Sequence, residues 1–322
     1  MSHEITICYA TDQVFAPCVG ASILSVLTNA AEGDHFHFYI LDQQISEAAK
    51  QKIASLKERF TFALTFLPFD ASIFEPIVRN DTSGWRCLPT FARFLIPTMM
   101  EEPKVLYLDG DTFVRHSLRD LWNTDIGEAY IGGVPDYNLI KTEHYFTNLF
   151  GPKFNKKEYL NAGILLINNR LWKQDHLFER LMDFSIKNAA FLQAADQDPI
   201  NFVCQGRKVL LPERYNVRNY MYRPDLFAHL PRYQEILQET KDPVIRHFHP
   251  WRKNFFVAHR EEWKQMMAHS PWPELIAQDD PPLKAWIKIF GRYLARHPFF
   301  YLLPRFYKRL KARGWRVTLL DH

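Results

Sequence analysis

The chain has 322 residues, and 47% of them are hydrophobic, which is typical of a globular protein and excludes an intrinsically disordered one. Its formal net charge of +4 is unevenly distributed, because residues 281–320 contain ten Lys and Arg and no Asp or Glu, whereas residues 1–280 carry a net charge of −5. Four widely separated cysteines form neither a Cys-x-x-Cys pair nor a zinc motif, which favours a reducing compartment.

The N-terminal segment carries His3 and Glu4 and has no apolar core of the kind that signal peptides contain. No segment approaches the length of about 20 apolar residues that a membrane-spanning helix requires. We therefore expect a cytoplasmic protein, or one attached to a membrane surface from the inside.

Apolar and amphipathic segments alternate along the first 70 residues. Strands are predicted at residues 4–10, 35–41 and 62–69, and helices at 15–27 and from about Ser46 to Phe60. This strand-helix order predicts an α/β fold with a mostly parallel sheet covered by helices on both faces. Ligands of such sheets bind beyond the carboxyl ends of the strands.

The rest of the chain continues the same pattern of short elements. Asn161, Ala162 and Gly163 precede a predicted buried strand, and one continuous helix is expected over residues 172–190. The remaining elements are predicted as helices at residues 88–95, 118–122 and from 196, and as strands at 105–108, 130–134, 209–212 and 244–247.

The segment Asp109-Gly110-Asp111 follows the apolar strand 105–108 directly. Two carboxylates one residue apart at the end of a buried strand can hold a divalent cation, which prefers oxygen ligands. Gly110 would allow the sharp backbone turn that directs both side chains to one ion. Because Asp and Gly are also common turn residues, an ordinary polar turn is the alternative interpretation.

The C-terminal part of the chain differs in composition from the rest. Residues 271–282 form a proline-rich linker, and residues 283–322 combine basic residues with Trp, Phe, Tyr and Leu. This combination favours a segment that binds an anionic membrane surface, to which each Lys or Arg contributes roughly 1 kcal/mol. Helical packing onto the catalytic domain is one alternative. Nucleic-acid binding is the other, and we expect no nucleic-acid partner.

Six segments of the chain together resemble glycosyltransferase family 8, and especially its bacterial lipopolysaccharide galactosyl- and glucosyltransferases. They occur in the order that the family shows and span about 240 residues, leaving the basic tail outside. The matching segments are residues 9–17, 89–94, 105–111, 159–168, 196–198 and 247–251.

The resemblance implies a GT-A fold, which we expect as a single catalytic domain at residues 1–270. It also implies a UDP-sugar donor and transfer that retains the anomeric configuration. By position, Asp109, Asp111 and His247 would bind Mn2+, with Mg2+ as an alternative ion. The other implied contacts are uridine for Ala10 and Asp12, sugar and diphosphate for Arg93, and the sugar pocket for Asp136, Asn161, Ala162, Asp196 and Gln197.

The implied reaction develops negative charge on a departing diphosphate, which a divalent ion neutralises. Gln197 is expected beneath the sugar and is a poor nucleophile, so we favour attack from the same face as the leaving group. Asp196 is the candidate nucleophile should a covalent intermediate form. The late motif lacks the usual lysine before Pro250, and Lys253 or Arg252 would replace its diphosphate contact.

These inferences predict transfer of galactose or glucose from UDP-galactose or UDP-glucose to a saccharide or lipid-linked acceptor. Lipopolysaccharide or another cell-surface glycan is the expected product, made on the inner face of the plasma membrane. A haloacid-dehalogenase-type phosphatase is one alternative, although Phe113 stands where that motif needs Thr or Val. A non-catalytic nucleotide-sugar-binding protein is the other.

Several predicted site residues also allow purely structural interpretations. Arg93 could form an ion pair with Glu101 or Asp120, and Asp196 could serve only as a helix cap. Asn161 could cap a strand end, and Asp136 could be a turn residue after Pro135.

Overall fold

The computed structural model describes residues 3–78, 88–137, 149–151, 154–222, 232–248 and 260–278. The strands in this part of the chain are β1 (His3–Asp12), β2 (Asp34–Gln43), β3 (Ala63–Pro68), β4 (Lys104–Leu108), β5 (Thr112–Val114), β6 (Ile131–Pro135), β7 (Leu160–Asn168), β8 (Lys208–Leu210), β9 (Val217–Arg218) and β10 (Ile245–His247).

Helices separate most of these strands. The α-helices among the described residues are Ala16–Thr28, Glu47–Ala54, Glu75–Val78, Ile96–Met99, Arg119–Asn123, Asn169–Gln174, Leu177–Lys187, Gln197–Val203, Tyr233–Lys241, Arg260–His269 and Leu275–Gln278. Short 3-10 helices lie at Ser55–Glu58, Ala71–Phe74, Leu88–Leu95, Lys156–Glu158, Glu213–Tyr215 and Asn219–Tyr222.

The large sheet has the strand order β3-β2-β1-β4-β7-β6-β8. The pairs β1/β2, β2/β3, β1/β4 and β6/β8 are parallel, whereas β7 is antiparallel to both of its neighbours. This arrangement confirms the mostly parallel α/β sheet that the sequence predicts. The reversed direction of β7 brings the start of that strand to the edge of the sheet where β1 and β4 end.

Both faces of the large sheet are covered, as the apolar strands require. Along β4, Leu106 and Leu108 belong to one buried hydrophobic cluster, and Val105 and Tyr107 belong to the other. Because successive side chains of a strand point to opposite faces, these two clusters form the core on the two sides of the sheet.

A second, three-stranded sheet has the order β5-β10-β9. Strand β10 is antiparallel to β5 and parallel to β9, so His247 has Thr112 on one side and Arg218 on the other. Sequence patterning did not predict β5 or β9, which have three and two residues. This small sheet carries His247 to the site described below.

The helix predicted over residues 172–190 is divided in two. Asn169–Gln174 and Leu177–Lys187 are separate helices, and His176 between them has a φ of 53°. A left-handed backbone conformation at a non-glycine residue interrupts the helical hydrogen bonds, which apolar periodicity alone does not reveal.

Part of the predicted linker packs against the core. Trp272 is only 8% exposed and belongs to the cluster that covers the helix Ala16–Thr28. Leu275 and Ile276 pack against the same cluster. The packed part of the chain therefore extends beyond residue 270, and the domain boundaries proposed from the sequence stay a prediction.

The basic tail at residues 283–322 lies outside the described residues. Among the residues that are described, no helix combines the length and the hydrophobicity that are needed to cross a bilayer.

The contact between Gly20 and Trp272 gives a test of this packing. A Cβ atom at Gly20 would lie 2.4 Å from Cζ3 of Trp272, so Gly20→Ala must displace a buried ring. We expect the free energy of unfolding, measured with urea, to fall by about 1–3 kcal/mol. In a Trp272→Leu background the same substitution should cost less, and an equal cost in both backgrounds would contradict the contact.

Candidate active site

A cavity of about 450 Å³ opens at the edge of the large sheet where β1 and β4 end and β7 begins. It contains twelve of the thirteen residues that the sequence predicts for the site. Lys253 is the exception, because it lies outside the described residues. The twelve lining residues are Ala10, Asp12, Arg93, Asp109, Gly110, Asp111, Asp136, Asn161, Ala162, Asp196, Gln197 and His247.

Asn161, Ala162 and Gly163 lie within β7, and the expectation that they precede the strand was wrong. The backbone N–H of Asp109 donates to the carbonyl oxygen of Gly163 over 2.7 Å, which joins the end of β4 to the start of β7. Because the two strands are antiparallel, the residues that begin one lie beside the residues that end the other.

Asp109, Asp111 and His247 converge at one point of the cavity. A ligand atom from each lies within 4.8 Å of the other two. Nε2 of His247 is 3.2 Å from Oδ1 of Asp111 and 3.8 Å from Oδ2 of Asp109. Two carboxylates and an imidazole at these separations could hold one metal ion.

Gly110 has a different role from the predicted one. It has no positive φ, in contrast to Gly33 and Gly127. A Cβ atom at this position would lie 2.8 Å from Cγ2 of Val19 in the first helix. The glycine is therefore required by the close approach of the acidic turn to that helix, and not by a left-handed turn.

The orientation of the His247 ring is set by Asn216. Nδ1 of the ring lies 3.0 Å from Oδ1 of Asn216, whose Nδ2 donates to Oδ1 of Asn161 over 2.8 Å. A carbonyl oxygen can only accept, so Nδ1 donates to Asn216, and the ring is held with Nε2 directed at Asp109 and Asp111.

Arg93 is buried among acceptors that belong to the protein. Its Nη2 donates to Oδ1 of Asp109 over 2.9 Å, and its Nε lies 2.8 Å from Oδ2 of Asp196. Nη1 donates to the carbonyl oxygen of Ala162, and the guanidinium lies 4.3 Å from the ring centre of Tyr107. Arg93 therefore pairs with Asp109 and Asp196, and neither Glu101 nor Asp120 is its partner.

The carboxylate of Asp109 is held in one orientation. Oδ1 accepts hydrogen bonds from Arg93 over 2.9 Å and from the hydroxyl of Tyr107 over 3.1 Å. The other oxygen, Oδ2, is the one that faces His247. Its two donors thus leave one oxygen of the carboxylate free to face the cluster.

Asp196 lies at the start of the helix Gln197–Val203, but its side chain makes no capping hydrogen bond there. Burial raises the pKa of Asp196 to about 7, and Asp109 adds to this rise, although Arg93 opposes it. The loss of hydration on burial is the largest effect on this pKa, and it outweighs the pairing with Arg93.

Gln197 is fixed by three neighbours. Oε1 accepts from Nδ2 of Asn161 over 2.9 Å and from the backbone N–H of Ala162 over 3.0 Å, and Nε2 donates to Oδ2 of Asp136 over 3.2 Å. The side chain is 7% exposed and lines the cavity. Its amide is therefore held in place by the protein alone.

Asp136 is buried, and each of its oxygens accepts hydrogen bonds. Oδ2 accepts from Asn161, Gln197 and Arg218 at 3.3, 3.2 and 2.7 Å, and Oδ1 accepts from the hydroxyl of Tyr220 over 3.2 Å. A simple turn residue would not need four donors, so Asp136 is an integral part of the cavity wall.

Asp12 and Ala10 lie at the end of β1, on the rim of the cavity. Oδ1 of Asp12 accepts from the backbone N–H of Phe15 over 2.9 Å, which fixes the turn into the first helix. Phe15 lines the cavity as well and is 42% exposed.

Sequence patterning missed three residues of the site: Tyr107, Asn216 and Arg218. The sequence predicts Tyr107 only as part of the apolar strand 105–108. Asn216 precedes the two-residue strand β9 and Arg218 ends it, and no periodicity can be detected in so short a strand. Arg218 lines the cavity and forms an ion pair with Asp136.

Comparison with known proteins gives a family match that includes all six segments on which the resemblance rests. The family model described as "Glycosyl transferase family 8" matches residues 6–254. A Haemophilus influenzae protein named as a glycosyltransferase is 30% identical over 217 residues, and the match covers 67% of this chain and 64% of that protein's length. The lipopolysaccharide 1,2-glucosyltransferase of Escherichia coli is 22% identical over 333 residues, covering 96% of this chain and 93% of its own.

Among solved structures, the galactosyltransferase LgtC in complex with donor and acceptor sugar analogues is similar, with a TM-score of 0.74 and 24% identity. The match covers 83% of this chain and 96% of LgtC, and it confirms the GT-A fold. The family match gives no support to the phosphatase alternative. Since the family model covers most of the chain, the protein belongs to glycosyl transferase family 8.

Proposed function

We propose that this chain is a retaining hexosyltransferase that moves galactose or glucose from a UDP-sugar to a saccharide acceptor of a cell-surface glycan such as lipopolysaccharide. The observation that carries the proposal is the convergence of Asp109, Asp111 and His247 in the same cavity as the fixed amide of Gln197. The names of the E. coli glucosyltransferase and of LgtC, which was solved with donor and acceptor analogues, support the substrate class.

The residues of the cluster fit a divalent ion. Asp111 and His247 are 6% and 3% exposed, and the imidazole presents Nε2 to the two carboxylates. A Cβ atom at Gly163 would lie 2.4 Å from Cε1 of His247 and 2.7 Å from Oδ2 of Asp109, so the cluster occupies space that only glycine leaves open. Two oxygens and one imidazole nitrogen suit Mn2+, with Mg2+ as the alternative.

An ion bound there would neutralise the negative charge that develops on the departing UDP. Arg93 holds Asp109 by its Oδ1 oxygen and so keeps Oδ2 directed at the cluster. Asn216 keeps Nε2 of His247 directed at the two carboxylates. Both contacts come from the protein itself and orient the two side chains toward the cluster.

The fixed position of Gln197 favours attack from the same face as the leaving group. Its Oε1 already accepts two hydrogen bonds, and an amide oxygen is a weak nucleophile. In such a reaction a phosphate oxygen of the donor takes the proton of the attacking hydroxyl, and Gln197 lines the space beneath the sugar. Asp196 is a poorer candidate for a covalent intermediate than the sequence alone suggests, because it lies 2.8 Å from Arg93 and is 4% exposed.

The rim of the cavity accommodates the rest of the donor. Ala10 and Asp12 would contact the uridine, and Asp136, Asn161 and Ala162 would line the sugar pocket beside Gln197. Lys253 or Arg252 would contact the diphosphate. The basic tail at residues 283–322 would attach the enzyme to the inner face of the plasma membrane, near a lipid-linked acceptor.

The function is tested with UDP-galactose, UDP-glucose and UDP-N-acetylglucosamine in the presence of Mn2+, by calorimetry and by release of UDP. We expect one of the first two donors to be bound and slowly hydrolysed. Asp111→Asn should reduce this activity by about 100-fold or more, because it removes a charged ligand of the ion. Asp183→Asn is the control, since that side chain is 73% exposed on a helix surface. Full activity of Asp111→Asn at saturating Mn2+ would contradict the assignment.

Gly163→Ala tests the shape of the metal site without changing any ligand. The added methyl group must displace His247 or Asp109, so we expect Mn2+ binding, followed by electron paramagnetic resonance, to weaken by at least about tenfold. Gly132→Ala on the neighbouring strand is the control, because the atoms nearest to its Cβ belong to the apolar side chains of Ile126 and Leu211. Equal Mn2+ affinity in the two variants would argue against the cluster as the binding site.

Removal of residues 283–322 tests the role of the tail. Sedimentation with vesicles that contain phosphatidylglycerol should be lost, because ten basic residues are removed. Hydrolysis of the UDP-sugar should continue, since the cavity is built from residues 10–247. Unchanged sedimentation of the shortened chain would refute the membrane assignment.

A further inference from the structure

Arg218 lies beside the candidate metal ligand His247. The two residues are Cα partners in the parallel pair β9/β10, so their side chains extend from the same face of the small sheet. Both line the cavity. Burial lowers the pKa of Arg218, but Tyr220, Asp136 and Asp111 together outweigh this effect and raise it.

Arg218 has more donors than its protein partners use. Nη1 donates to Oδ2 of Asp136 over 2.7 Å, and the guanidinium lies 4.9 Å from the ring centre of Tyr220. A guanidinium has five N–H donors, and the Arg218 side chain is 16% exposed at the cavity. Tyr220 is a second hydrogen-bond partner of the guanidinium, and these two partners use fewer than its five N–H donors.

Arg93 differs from Arg218 in this respect. All three nitrogens of its guanidinium contact protein oxygens, two of them carboxylates, and its side chain is 6% exposed. Arg93 and Arg218 are the two Lys or Arg residues among the described residues that line the cavity. Of the two cationic side chains in this lining, Arg218 is therefore the one with more N–H groups left to bind a ligand.

The charge of the lining indicates what Arg218 would bind. Five carboxylates face two guanidinium groups, so an anionic ligand needs a local positive charge to enter. A planar guanidinium forms two parallel hydrogen bonds with phosphate or carboxylate oxygens, and it prefers such groups to neutral hydroxyls. The lining residues in question are Asp12, Asp109, Asp111, Asp136, Asp196, Arg93 and Arg218.

We propose that Arg218 binds a phosphate or carboxylate oxygen of a substrate beside the cluster of Asp109, Asp111 and His247. The anion belongs either to the diphosphate of the donor or to an acidic group on the acceptor. This inference rests on the proposed function and adds a residue that contacts substrate and selects for charge.

The test compares Arg218→Gln with the native chain in the presence of Mn2+. If the anion is the diphosphate, the dissociation constant of UDP should rise about tenfold or more, because a charge-assisted contact is lost. The dissociation constant of uridine, which has no phosphate, should stay within about twofold. Arg214→Gln is the matched control, since Arg214 pairs with Glu239 outside the cavity and its side chain is 47% exposed.

The second arm examines the acceptor side. Glucose 6-phosphate and glucose are added separately to the UDP–Mn2+ complex, and binding is measured by saturation-transfer NMR. If the anion belongs to the acceptor, Arg218→Gln should weaken the phosphorylated sugar selectively and leave UDP binding unchanged. The inference is overturned if neither anionic probe loses affinity. It is also overturned if uridine and UDP, or the two sugars, weaken alike, because this is the result of a purely structural role through Asp136.

Arg218→Lys keeps the test decisive if Arg218→Gln does not fold. Lysine retains the charge and loses the forked geometry, so UDP or glucose 6-phosphate should weaken at least about threefold while the uncharged probe does not change. Equal affinities for all probes would again overturn the inference. Failure of the native chain to bind UDP, or to hydrolyse any UDP-sugar, would instead refute the proposed function.

Discussion

The cavity depends on the direction of β7. A purely parallel sheet would bring only strand ends to this edge, whereas the antiparallel strand brings its first residues there. Asn161, Ala162 and Gly163 therefore reach the ends of β1 and β4 while remaining hydrogen-bonded in the sheet. These cavity residues therefore lie on a rigid central strand, whereas in a purely parallel sheet a loop would have to supply them.

Arg93 neutralises the buried acidic residues on one side of the cavity. Its two carboxylate partners are largely enclosed, and an unpaired charge in such surroundings would cost several kcal/mol. The pairing has a second effect, because it fixes Asp109 by one oxygen and leaves the other facing His247. Stability and the geometry of the cluster of Asp109, Asp111 and His247 thus depend on the same side chain.

The sequence predicts those parts of the site that follow long or strongly apolar strands. Asp109 and Asp111 can be found because a buried strand precedes them, and their combination with His247 came from the resemblance to the family. Asn216 and Arg218 could not be found in this way, since β9 has two residues and its partner β10 lies about 30 residues later. The role of Gly163 could not be predicted either. A glycine is needed there because a Cβ atom would collide with His247, which lies more than 80 residues later in the chain.

The balance of charge connects these features. A lining with five carboxylates and two guanidinium groups repels a diphosphate unless further positive charge is present. One of the guanidinium groups is already committed to Asp109 and Asp196, so it organises the acids and cannot also neutralise a ligand fully. A divalent ion at Asp109, Asp111 and His247 would supply most of the missing charge, and Arg218, the less committed of the two guanidinium groups, lies on the strand next to His247.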